Sequence, residues 1–573
     1  MLPIFSLPMR RSLLRSLPRS FVFVRSSRRV ALLAAGCLFL FGSALAQMGN
    51  PEQTQIPSGP YRIAGTVVNA KNGNPLSRCR VTIGAVTNRQ SVLSVITNDD
   101  GRFEFHVPAG KYSMGAAKRG FITSSYNQHE QFSTAIVTGA DLDTESLVLR
   151  LAPNAVLTGK VLDEFGEPVR NAEIIVYHES HFQGVSRIVR YRAASTDDQG
   201  RYEVTPLNEG TYFVSAKATP WYAVHPPSSA VDTAGRPSQV DPSLDVAYPI
   251  TYYGNATEAD DATPIPVRGG DRLEADVHLT PVPSLHLILR FPEDRLSHGF
   301  MVPMLQKPVF DGVESMQTGQ IQNVAPGVIE LDGVPAGRYM VRMPDSNGQM
   351  KESADVDLSS GGDLDLSSGS ATGKIKATVQ IEGAASLPSA LLIGLRNSQG
   401  RVSGTQLDAK GEASFSDVTP GKYDVVASSM TQTYSVVRIV SEGETISGHA
   451  LNVPAGASLI ISISLVGGSV TVDGFAKRDG KAASGAMIVL VPKDPEANRD
   501  RFRRDQSDLD GSFTLPHVVP GSYTIVAIDN GWDLDWAEPA VLAGYLKHGQ
   551  PLEVGDRSPT AMHLADAVSV QAK

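Results

Sequence analysis

Cysteine is nearly absent. The 573 residues hold two, Cys37 and Cys79. Cys37 lies in an N-terminal segment expected to be removed, so Cys79 stands alone and no intrachain disulfide can form. Long apolar runs are missing beyond the stretch from Val30 to Phe41, so no membrane-spanning helix is expected in the rest of the chain. Amphipathic helical stretches are scarce. Aromatic residues make up 7%, with three Trp. None of the twelve His is followed three residues later by Glu, and neither Gly-x-Ser-x-Gly nor a phosphate-binding loop occurs. These absences remove the common signatures of metallohydrolases, serine hydrolases and nucleotide-binding enzymes, and no cofactor is implied. Basic charge is also short: 51 Lys and Arg stand against 60 Asp and Glu. Seven of the arginines fall within the first 29 residues, which carry no acid; without them 44 face 60, a net charge of −16. A chain that acidic is not expected to bind nucleic acid or anionic lipid.

The N-terminus reads as a signal peptide over residues 1–46. Its basic segment contains Arg10, Arg11, Arg15, Arg19, Arg25, Arg28 and Arg29; the apolar run follows, then Ala44-Leu45-Ala46 as the cleavage site. The basic segment is long, and Met9 offers a second start. Ser27-Arg28-Arg29-Val30 loosely resembles a twin-arginine signal, which is the alternative export route. Ala34-Ala35-Gly36-Cys37 is not read as a lipoprotein box, because the chain stays apolar from Leu38 to Phe41. The expectation is an exported protein, in the periplasm, the outer envelope or outside the cell.

Glycine and proline are abundant, at 52 and 37. They are placed periodically. Asn98-Asp99-Asp100-Gly101-Arg102-Phe103-Glu104-Phe105 leads to Gly110-Lys111-Tyr112. Asp197-Asp198-Gln199-Gly200-Arg201-Tyr202 leads to Gly210-Thr211-Tyr212, and Asp508-Leu509-Asp510-Gly511-Ser512-Phe513 to Gly521-Ser522-Tyr523. Weaker copies run from Gly411 to Gly421 and Tyr423, and from Gly327 to Gly337 and Tyr339. Successive first glycines are 99, 127, 84 and 100 residues apart. An Asp-x-x-Gly cluster supplies the left-handed positions of a tight turn, alternation supplies a half-buried strand, and the Gly-x-Tyr opens the next strand. Self-similarity at this spacing means one small β-sandwich per copy.

In the second copy the order Gly159-x-Val161, Gly166-x-Pro168, Ala172-x-Ile174-x-Val176, Thr196-Asp197-x-x-Gly200-x-Tyr202, Gly210-x-Tyr212 resembles the carboxypeptidase regulatory-like domain family. That family is transthyretin-like, with a carbohydrate-binding-like sandwich fold. The first, second and fifth copies match well, the fourth partly, the third only at its final hairpin. The resemblance implies an all-β chain: a tandem array of about five small Greek-key sandwiches, prealbumin-like or Ig-like. The expected units are 61–152, 154–282 with a Pro-rich insertion, 284–370, 371–456 and 458–573. Leu459 to Leu465 opens the fifth, and Asp357 to Leu366 reads as a hairpin ending the third. The family name suggests a zinc carboxypeptidase, but the metal-binding signature of that class is absent.

Every matched residue serves a turn or a core, so sites must be sought elsewhere. Trp532-Asp533-Leu534-Asp535-Trp536 places two indoles four residues apart between acids. Such a group can stack on a sugar face and accept its hydroxyls; alternatively it covers the open end of its own sandwich. Trp221-Tyr222 in the Pro-rich insertion is a second such place. His178-Glu179-Ser180-His181 is the nearest approach to a metal cluster and lacks a clear third ligand. The Asp pairs of the turns could hold calcium, but their recurrence at every hairpin favours turn chemistry. Cys79 occupies a small strand position, like Ala172 and Ala486, and is expected in the core. Three readings follow: a non-catalytic structural or interaction module whose partner is an envelope protein; a carbohydrate-binding protein whose partner is a glycan; and, weakest, a hydrolase with an unrecognised site.

Overall fold

The architecture is that of a computed structural model. It describes residues 56–573 except 140–141, 183, 227–240, 291–302, 345–349, 360–361, 366–371, 384–386, 389, 398–401, 430–433, 442–443, 447–448, 497, 556–557 and 559. Residues 1–46, expected to be a signal peptide and holding Cys37, lie outside the described residues. The fold is all-β. Among the described residues the α-helical content is one short helix, Pro539–Leu546.

One strand plan repeats five times. In the first sandwich Tyr61–Asn69 lies between Arg102–Val107, antiparallel, and Leu147–Leu151, parallel. Ala155–Leu162 sits in the same way between Arg201–Leu207 and Arg272–Glu274. Leu285–Arg290 sits between Val328–Val334 and Gly362–Asp365. Gly373–Ile381 sits between Glu412–Val418 and Ser458–Gly467. Val470–Arg478 sits between Ser512–Val518 and the short strands Ala561–His563 and Val568–Gln571. Each unit thus closes on a strand parallel to its first. A second sheet covers each of these, as Asn88–Ile96, Arg80–Ala85 and Gly110–Ala117 do in the first unit. In the fifth, Val568–Gln571 pairs with both Val470–Arg478 and Gly521–Ile528, joining its two sheets along one edge.

That plan corrects two readings of the sequence. Ser458–Gly467 does not open the fifth sandwich; it pairs over eight residues with Gly373–Ile381 and closes the fourth. Two adjacent strands separated by Gly468-Ser469 look alike in sequence, and only the pairing partner tells which sheet each joins. Asp357 to Leu366 is not a hairpin either. Met350–Leu358 pairs with Gly337–Pro344 in one sheet, while Gly362–Asp365 crosses to Leu285–Arg290 in the other.

Alternation builds the cores. Arg102–Val107 buries Phe103, Phe105 and Val107 and turns Arg102, Glu104 and His106 outward. Those side chains meet Ile63, Val67, Val81, Ile83 and Leu149 in one cluster. Comparable clusters fill the second, third, fourth and fifth sandwiches. The repeated Tyr has the same role throughout. Its hydroxyl donates to the carbonyl four residues earlier: Tyr112 to Pro108 (3.0 Å), Tyr212 to Asn208 (3.1 Å), Tyr339 to Pro335 (2.6 Å), Tyr423 to Thr419 (2.8 Å) and Tyr523 to Val519 (2.6 Å). The ring fills the core while the hydroxyl caps the turn, so a buried phenol has its partner. Tyr423 is half-buried; the other four are buried.

Candidate functional site

Two of the turn acids, Asp197 and Asp408, are engaged by their own backbone. Asp197 Oδ1 accepts from the N–H groups of Gln199 (2.9 Å) and Arg201 (2.8 Å), and Asp408 Oδ1 from Lys410 and Glu412 (both 2.8 Å). The N–H of Glu412 above all holds the Asp408 carboxyl below the usual range. Gly200 closes its turn at φ +69°, and a Cβ there would sit 2.6 Å from the Val161 carbonyl oxygen. Calcium needs six to eight oxygens, and these carboxylates are spent on amides. Among the described residues no three His, Cys, Asp or Glu side chains form a group suited to a metal ion.

His178 and His181 do not form a metal pair. They lie on the strand Glu173–Phe182, not in a loop. The His178 ring packs at 4.5 Å on Tyr212 and 5.5 Å on Tyr191, and burial pushes its pKa down, which keeps it neutral. His181 instead points at Asp535, 3.7 Å away. Cys79 is fully buried; its Sγ lies 3.3 Å from the Leu76 carbonyl and burial pushes the thiol up, away from nucleophilic use.

The tryptophan pair is not a surface platform. Trp532 is 8% exposed and Trp536 5%. Both sit in a cluster with Met487, Val489, Ile528 and Leu542 of the fifth sandwich, against Phe132 of the first and Val185 of the second. His129 stacks flat on Trp532 (5.0 Å, 4°), and the Arg504 guanidinium lies 4.4 Å over Trp536 while pairing with Glu130 (2.6 Å). Asp535 accepts from the Ser186 N–H (2.6 Å), and Ala537 donates to the Gly184 carbonyl (3.0 Å). Asp533 pairs with Lys573. The indole faces that would meet a sugar are therefore covered, Trp532 by His129 of the first sandwich and Trp536 by Arg504 of its own and by the Gly184 turn of the second.

Around them the fifth sandwich docks on the first. Lys111 reaches Asp508 (2.9 Å) and Ser512 (2.7 Å), Asp508 also accepts from the Ala135 N–H (2.9 Å), and Gln506 donates to Asn127 (2.6 Å) and Thr134 (2.8 Å). Asp508 has left the role its counterpart Asp197 plays within its own turn and serves the neighbouring sandwich. Sequence reasoning missed His129, Phe132 and Arg504; nothing in a linear reading joins residues nearly four hundred positions apart.

Trp221 and Tyr222 remain at the surface. Trp221 is 84% exposed, edge-on to Tyr222 at 5.9 Å and 88°. The Tyr222 hydroxyl donates to one oxygen of Glu164 and that of Tyr248 to the other (2.8 Å). Burial works against the Glu164 charge, but these two hydroxyls hold its carboxyl below the usual range. Phe165, beside it in sequence, is 79% exposed. Much of the remaining insertion is structural: Ile250, Thr251 and Tyr252 are buried, and Thr251–Tyr252 pairs with Gly210–Lys217.

The molecule is thus a tandem all-β protein of small sandwiches. Residues 62–142 match the carboxypeptidase regulatory-like domain family. No curated protein matches the chain in sequence. Among solved structures, the Bacillus anthracis TIE protein is 13% identical over 78% of this chain and 79% of its own, with a TM-score of 0.16. A streptococcal ancillary pilin is 10% identical over 49% and 98%, TM-score 0.20. A minor pilin of Streptococcus agalactiae is 14% identical over 39% and 97%, TM-score 0.21. Among the described residues no helix is long and apolar enough to cross a membrane, which says nothing of a β-barrel.

Proposed function

We propose that this is an exported, non-catalytic module that works as a scaffold or interaction surface of the cell envelope or extracellular space. The observation that carries the reading is the employment of the repeated residues. Asp197 and Asp408 hold their own turns, Asp508 holds the neighbouring sandwich, the repeated tyrosines hold a core and a turn, and among the described residues the remaining polar groups do not converge at a nucleophile, base or metal spacing. The test has two parts. Mass spectrometry of the exported protein is expected to find Gln47 at the N-terminus, whereas a lipid-modified Cys37 contradicts it. The mature chain is expected to capture envelope proteins from an extract and to show no peptidase or glycosidase turnover; chelator-sensitive hydrolysis overturns the reading.

The second reading, carbohydrate binding, is favoured at one place by the exposure of Trp221 and Phe165 beside the Glu164 carboxylate. Exposed aromatic faces with a nearby acceptor suit a sugar ring and its hydroxyls. Trp221→Ala is expected to abolish retention on immobilised glycans with thermal stability unchanged. Retention by the variant equal to wild type removes this site.

A further inference from the structure

The docking of the fifth sandwich on the first and second has the character of an interface between separate bodies. Each partner owns a complete core, one around Ile63, Phe105 and Tyr112, the other around Val472, Ile525 and Tyr523. Separating them leaves both of these cores in place, but it takes Leu509 from the edge of the first and uncovers Trp532 and Trp536, whose cluster includes Phe132 of the first sandwich and Val185 of the second. What joins them is that aromatic cluster with a rim of polar contacts: the Arg504–Glu130 ion pair, the Lys111–Asp508 pair, the Gln506 amide bonds and the His129–Trp532 stack. An aromatic centre with a polar rim, between bodies that keep cores of their own, is the anatomy of a protein–protein interface. The partners are about four hundred residues apart, so only the intervening chain gives the intramolecular contact its advantage.

We propose that this interface is exchangeable. The fifth sandwich of one copy docks on the first and second sandwiches of another and the exchange is reciprocal, so that a second copy of this chain is the partner. Every contact is then the one already made within a chain, so nothing new need be built; exchanging identical elements is a low-cost route to dimers. The intervening sandwiches are the tether; because they let the fifth reach the first within one chain, they raise its effective concentration there, so the closed monomer prevails in dilute solution and exchange appears where copies are crowded. This deepens the reading of the chain as an interaction module and rests on it only in the choice of partner. Capture of envelope proteins and self-exchange are separate measurements and fail separately.

Arg504 gives the test its leverage, since its charge is matched from one side by Glu130 and faced from the other by Trp536. In Glu130→Arg, two arginines oppose within one chain; in Arg504→Glu, two glutamates do. Mixing the full-length mature variants lets each first sandwich meet a fifth of opposite charge. Light scattering after size exclusion is expected to show each variant alone as a monomer and the mixture as a two-chain species containing one of each. The double variant, its pair restored within the chain, is expected to be a closed monomer. A mixture that remains monomeric overturns the proposal. Should a single variant fail to fold by circular dichroism, wild-type chains carrying two different fluorophores are co-incubated at about millimolar concentration and diluted. Energy transfer above the level of unincubated chains supports exchange, and its absence overturns it.

Discussion

The recurring tyrosine has two attachments, a ring in the core and a hydroxyl on a carbonyl four residues back. Removing only the hydroxyl isolates the second. Tyr523→Phe leaves the buried Val519 carbonyl without that donor and is expected to destabilise the fifth sandwich by about 1–2 kcal/mol, while Tyr523→Ala costs about 3 kcal/mol or more. Denaturant titration of the full chain, followed by hydrogen exchange on the strand Gly521–Ile528, reads both. Equal effects would mean the hydroxyl contributes nothing. A second residue carries a pH dependence. Burial raises the Asp505 carboxyl to about 6, against the N–H bonds of Thr514 and Gln506 that lower it, and the nearby Asp508 charge adds to the rise. A folded pKa above the unfolded value of about 3.9 means the native state holds the proton more tightly. Stability of the fifth sandwich therefore falls as pH rises from about 4 to 6 and does not recover above. Asp505→Asn is expected to flatten that fall and to be the more stable chain at pH 7.5, by on the order of 1 kcal/mol after solvent screening of a half-buried site. Melting curves at pH 5 and 7.5 that shift alike in both proteins contradict this.

At the scale of the element, the hairpin turns show what was legible in the sequence and what was not. Asp197, Gly200 and Tyr212 name their turn and the strands on either side of it in the sequence alone, because left-handed backbone, strand alternation and a hydroxyl seeking a partner are local demands. Gly200→Ala is expected to cost about 1–2 kcal/mol or more, since the left-handed strain is joined by contact with the Val161 carbonyl. Faster amide exchange confined to Arg201–Leu207 and Ala155–Leu162 is the readout; no change would mean the turn tolerates a side chain. Strand partnership was not legible. The alternation of Ile461, Ile463 and Leu465 is satisfied by either neighbouring sheet, so the closing strand of the fourth sandwich was assigned to the fifth. Nor was the burial of Trp532 and Trp536. Two indoles between acids look like a surface platform until a distant sandwich is laid over them, and that sandwich announces itself only through His129 and Phe132, which are unremarkable in sequence. Trp221 differs from them only in having no such cover.

At the scale of the whole molecule, the account turns on one arrangement: the last sandwich returns to the first two and buries both of its tryptophans there. The reassignment of the Trp pair from ligand site to interface and the exchange between copies both depend on it. The chain has three tryptophans, and Trp221→Phe leaves the two in question. Acrylamide quenching of that variant's tryptophan emission tests the arrangement most directly. The account predicts blue-shifted emission shielded several-fold relative to free indole, and a clear rise in quenching when Arg504→Glu is added to loosen the contact. Emission quenched as readily as free indole, and indifferent to Arg504, would contradict it.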